Sequence, residues 1–100
     1  MELSEFGLHA TVEVVTPEMA HSYLLHNARH RPIKEKKVNE YMAQMIDGSW
    51  KLNGKPIIFD SNGRLLNGQH RLSAVIKAGI PLTTVVIHGV DPAVQETNEE

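Results

Sequence analysis

Residues 56–79 read PIIFDSNGRLLNGQHRLSAVIKAG, and the hydrophobic period changes within them. Pro56-Ile57-Ile58-Phe59 is a short apolar, β-prone run, and Arg64-Leu65-Leu66 is a second one. Between them lies Asp60-Ser61-Asn62-Gly63, whose Asn-Gly pair accepts the positive φ that a tight hairpin demands of both central residues. Leu65 and Leu66 are therefore expected to return beside Ile57 to Phe59. Beyond Asn67 the period lengthens: Leu72, Val75 and Ile76 fall at i, i+3 and i+4, which marks a helix starting at Gly68 or Gln69 and closed by Gly79. A hairpin feeding directly into a helix is the centre of the fold.

Working outward, Pro81 opens a last strand over Leu82 to His88. Upstream, Lys34 to Asp47 places Val38, Tyr41, Met42, Met45 and Ile46 on one helical face, with Gly48 as the C-terminal cap. The methionines on that face are expected as core filler. Thr16-Pro17-Glu18 reads as a helix start, with a hydroxyl cap, proline at the first position and an early carboxylate, giving a helix from Pro17 to Leu25. Thr11 to Val15 is β-branched and forms a strand. The order strand, helix, helix, hairpin, helix, strand specifies an α+β domain.

The chain has 100 residues, enough for one domain, which we place over residues 1–100 with flexible ends at 1–9 and 92–100. Apolar residues make up 41% and charged residues 22%, as in ordinary globular proteins. A formal charge of −2 gives no global footprint for nucleic acid, so any basic site must be local. Arg29-His30-Arg31, Lys34 with Lys36-Lys37, and Arg64 with His70-Arg71 are the clusters. With no cysteine, there is neither a disulfide nor thiol chemistry, which suits the cytoplasm. No apolar run approaches the ~18 residues of a membrane span.

The junction at Asn67-Gly68-Gln69-His70-Arg71 concentrates anion-friendly groups. The first turn of a helix directs backbone N–H groups and a partial positive charge at its approach, so phosphate is favoured there. Gly68 clears the approach, and Arg71 can grip phosphate through two parallel hydrogen bonds. His70 can donate when protonated or shuttle a proton. Gln69 can orient a ligand or water, and Asn67 is either an N-cap or a ligand contact. Asp60 could hold Mg²⁺, although beside Asn-Gly its role as turn chemistry is the simpler one.

At these residues the sequence resembles the ParB/sulfiredoxin superfamily. The likeness runs through RPI at 31–33, MIDGSW at 45–50, the glycine-rich core GRLLNGQHRLSA at 63–74 and VVIHGVDP at 85–92. It is nearest to ParB-like nuclease-domain proteins of phage and bacteria. A spaced pattern over roughly sixty residues is more specific than the four-residue motif. The resemblance implies a small mixed sheet with three helices and a nucleotide, ATP or CTP with Mg²⁺, whose phosphates contact Gly68, His70 and Arg71 with help from Gln69. It further implies that Arg31 lies near the same pocket.

Departures from the family pattern narrow the activity. Gln69 stands where sulfiredoxins carry the cysteine of G-C-H-R, so sulfinic acid reduction is excluded. It also stands where ParB carries the glutamate of G-E-R-R, and His70 replaces the first arginine. The chain has no room for ParB's helix-turn-helix. We expect a nucleotide switch or a phosphotransfer or hydrolytic module, with no assigned catalytic residue; Glu35, Glu40 and Asp60 are the carboxylates to test. The alternatives are a DNA-interacting protein of partition or nuclease type and a non-catalytic interaction module. The six histidines show no metal-site spacing; His26 and His30 are the one i, i+4 pair. No signal fixes an oligomeric state.

Overall fold

The computed structural model describes residue 5 and residues 7–27, 32–50 and 55–93. The chain runs β1 (His9–Val15), α1 (Pro17–Leu25), α2 (Glu35–Asp47), β2 (Ile57–Asp60), β3 (Leu65–Asn67), α3 (Gln69–Ala78) and β4 (Leu82–Val90). It is a small α+β domain with a four-stranded mixed sheet in the order β1-β4-β2-β3. β1 pairs antiparallel with β4, β4 parallel with β2, and β2 antiparallel with β3.

Local chemistry explains the boundaries. Thr16 caps α1, its hydroxyl accepting from Met19 N at 3.2 Å with Pro17 in the first turn. α2 and α3 both end on glycines in the left-handed conformation, Gly48 and Gly79. β1 starts at His9, two residues earlier than its β-branched run, because the register continues to His9 opposite His88. That pairing brings Gly89 against Gly7: a Cβ on Gly89 would lie 1.9 Å from the Gly7 carbonyl oxygen. Only glycine permits so close an approach.

The hairpin differs from the expected tight turn. Asn62 does not adopt positive φ; only Gly63 does, at 79°. Asp60 supplies what the second left-handed residue would have supplied, its Oδ1 accepting from the backbone N–H of Asn62 and of Arg64, each at 2.9 Å. A side chain that mimics a turn in this way removes the demand on Asn62. The carboxylate is buried and spent on the turn.

The core lies between the helices and one sheet face, where Val15, Ile57, Leu65, Leu72, Val75 and Val86 are fully buried. Val38 and Met45 of α2 join it, with Tyr41 and Met42 packed alongside. Ile46 and Ile76, expected on the buried stripes, are exposed, since each sits at the margin of its helical face. Trp50 packs edge-on against Tyr41 with ring centroids 5.4 Å apart. On the opposite sheet face Val12 and Val14 are 62% and 57% exposed.

Candidate functional site

α3 is entered through Gly68, whose φ of 122° favours glycine and whose position against Ile57 leaves little room for a side chain: a Cβ would meet Ile57 Cγ1 at 3.0 Å. Asn67 does not cap the helix. It is the last residue of β3, opposite Ile58, and Gly68 takes the N-cap position with no side-chain capping bond.

The next three residues each tie down a different segment. Gln69 Oε1 accepts from Asn27 Nδ2 at 2.6 Å, just after α1. His70 Nε2 accepts from the Lys34 backbone N–H at 3.1 Å, at the entry to α2. Since that nitrogen accepts, the ring carries its proton on Nδ1. Arg71 donates from one terminal nitrogen to the Lys55 carbonyl and from the other to the Pro56 carbonyl at 3.1 Å, just before β2. His70 and Arg71 are each 2% exposed. The guanidinium read from the sequence as a phosphate grip thus acts here on the chain's own backbone.

This start of α3 is a hub. Asn27 and Lys34 bracket the segment containing Arg31, which lies outside the described residues, as do Arg29 and His30. Asn27 also forms a parallel bridge to Leu65, and the His26 carbonyl accepts from Leu65 N at 2.8 Å, so α1's exit is fastened to β3. Ser73 closes the first turn, donating to the Gln69 carbonyl at 2.7 Å. Glu35 and Glu40 are exposed on α2, and Glu35 lies 3.4 Å from Lys77 Nζ of α3. Neither carboxylate bonds to the hub among the contacts of the described residues.

A second polar cluster, absent from the sequence reading, lies at the hairpin end of the sheet. Glu13 of β1 accepts from the Tyr23 hydroxyl at 3.2 Å and from the Thr11 hydroxyl at 2.8 Å, and it meets His88 Nε2 at 3.4 Å. His88 stacks on Phe59 with centroids 5.1 Å apart and planes within 7°. Tyr23 meets Phe59 edge-on at 4.8 Å. These rings, with His26 and the Asn62-Gly63 turn, line a cleft of about 330 Å³. Burial, then the negative charge of Glu13 and the hydrogen bond to it, raise the Tyr23 hydroxyl above its ordinary value of 10.0. Glu13 and His88 are 75 residues apart, and no local motif announces their meeting.

Among the described residues no group of three His, Asp or Glu side chains is placed to hold a metal ion, and no helix is long and apolar enough to cross a membrane. Comparison of the chain with protein-family models, with curated proteins and with solved structures finds no match.

Proposed function

We propose that the chain is a cytoplasmic nucleotide switch of ParB/sulfiredoxin type, taking the phosphates of ATP or CTP, with Mg²⁺, at the start of α3. One observation carries the reading: Gln69 and His70 hold Asn27 and Lys34, the residues on either side of the basic 28–33 segment. A phosphate drawn to the first turn of α3 competes with those two hydrogen bonds. Binding would therefore loosen the exit of α1 and the entry of α2, which is what a switch requires. Direct contacts fall to the backbone of Gly68 and Gln69 and to basic side chains such as Arg31. His70 and Arg71 keep the frame, and among the described residues the carboxylates of Glu35 and Glu40 make no bond to the hub, which favours switching over hydrolysis or phosphotransfer.

The test is an amide NMR titration with ATP, CTP and inorganic tripolyphosphate, with and without Mg²⁺. The expected result is saturable movement of the Gly68, Gln69, Asn27 and Lys34 signals, weakened severalfold in Arg31→Ala. Unmoved hub signals at millimolar nucleotide would refute the reading. A second reading, a non-catalytic interaction module, draws on the near-complete burial of His70 and Arg71. It predicts no nucleotide response at all. The DNA-interacting alternative predicts steeply salt-dependent duplex binding instead.

A further inference from the structure

The cleft at the hairpin end has the construction of a ring-binding site. Phe59, buried in the core, supports one face of the His88 imidazole, while the His88 side chain remains 42% exposed toward the cleft. The stack therefore ends in an open aromatic face. Its orientation is fixed, since Glu13 takes the Nε2 hydrogen, and Glu13 is itself held by Tyr23 and Thr11. With Nε2 donating, Nδ1 of a neutral ring is an acceptor. His26 repeats the pattern at the C-cap of α1: its Nδ1 donates to the Ser22 carbonyl at 3.0 Å, which leaves Nε2 of a neutral ring as the acceptor. The Tyr23 hydroxyl donates to Glu13, so the ring nitrogens of the two imidazoles stand as acceptors in the cleft beside the Ser22 hydroxyl and the Asn62 amide oxygen.

We propose that this cleft binds a planar nitrogen heterocycle carrying at least one N–H donor, stacked on the outer face of His88 and hydrogen-bonded to an imidazole nitrogen. A fixed platform loses little freedom on binding, and stacking on an aromatic ring tolerates many heterocycles, so the donor supplies the discrimination. A volume of about 330 Å³ accommodates a bicyclic ring. The hub at Gly68 is at the other end of β3 from the Asn62-Gly63 turn, and the two regions meet only where His26 of the cleft adjoins Asn27 of the hub. The cleft site stands whether or not nucleotide phosphate binds at α3.

Both nitrogen positions depend on neutral imidazoles. The groups that face His88 are Glu13 and His9 on β1 and Tyr23 on α1, with His26 across the cleft. Measurement belongs at pH 8, above the ordinary imidazole range. Two probes separate ring from donor: 2-aminobenzimidazole, which brings N–H groups, and 1-methylbenzimidazole, which has none. Titration followed by NMR should shift the His88 ring and the Gly63 and Tyr23 amides, with the amino probe tighter by about tenfold, the worth of one good hydrogen bond.

His88→Ala should weaken the amino probe by roughly tenfold or more through lost stacking. His88→Phe keeps the platform but removes one acceptor, so the preference for the amino probe should shrink. Glu13→Gln is the positioning test: binding of both probes should weaken together, with their ratio retained. Equal binding of the two probes to the unaltered protein, shifts confined to residues outside the cleft, or full binding by His88→Ala would overturn the proposal. Tripolyphosphate added in excess should leave the probe on His88, with any change confined to the His26 side that adjoins Asn27; mutually exclusive binding would also count against a separate site.

Discussion

The start of α3 and the Glu13–Tyr23–His88 cleft are both clusters of polar side chains against the same core, and they are built in opposite ways. At α3, Gln69, His70 and Arg71 are buried and their polar atoms reach the backbone or side chains of segments that precede them in the chain. In the cleft, Glu13 gathers three partners, yet His88 keeps an exposed face. Buried polar groups must be paired or they destabilise, so a buried cluster is committed to structure in the state that buries it. A half-exposed cluster has spare capacity. The contrast teaches that the more conspicuous motif carries structural work in this state and must give up bonds to take a ligand, while the quieter one has open space beside it already.

The comparison breaks most readily at Arg71. Arg71→Ala should cost roughly 3–4 kcal/mol in urea unfolding, because two charge-assisted bonds and a buried side chain are lost together. Arg71→Lys should recover little, since an ammonium is a poor substitute for a fork spanning two carbonyls. A loss below about 1 kcal/mol would mean the hub is not what holds the loops. Gly68→Ala should follow at about 2 kcal/mol, from positive φ together with the 3.0 Å approach to Ile57. His70→Ala should cost about 1–2 kcal/mol and speed hydrogen exchange at the Lys34 amide.

The smallest effect belongs to the cleft. Tyr23→Phe should cost only about 1 kcal/mol, as one half-buried hydrogen bond is removed and the ring contact with Phe59 is kept. It sharpens the comparison through pH. The folded state raises the Tyr23 hydroxyl, so the protein holds that proton more tightly than the unfolded chain does. The associated stability is present in full below pH 10 and is lost as pH rises through the folded value. Tyr23→Phe should flatten that alkaline decline, seen as thermal midpoints measured between pH 8 and pH 11.

Much of the architecture was legible because it is written locally. Thr16-Pro17, Gly48 and Gly79 mark helix ends by backbone chemistry that acts within a turn, and the change of period at Asn67 places β3 before α3. The hairpin was legible in position but not in mechanism, since the role of the Asp60 carboxylate depends on burial that pattern does not report. Gln69, His70 and Arg71 stood out as a polar group at a helix start, a position where phosphate binding and loop anchoring look alike in sequence. What separates the two is whether each donor meets backbone, and Lys55 and Pro56 meet Arg71 only after β2 has been placed. The cleft was illegible for a related reason: it assembles Glu13, Tyr23 and His88 from three elements across the β1–β4 pairing.

The position of β4 has a consequence for how the molecule comes into being. β4 is inserted between β1 and β2, so among the described residues β1 has no strand neighbour until residues 82–90 exist. During synthesis the hairpin and α3 can form ahead of it, but this sheet can close only once residues 82–90 clear the ribosome tunnel. A nascent chain halted before residue 82 would carry Val12 and Val14 on an unmated strand, a template for the wrong partner rather than half of a finished protein.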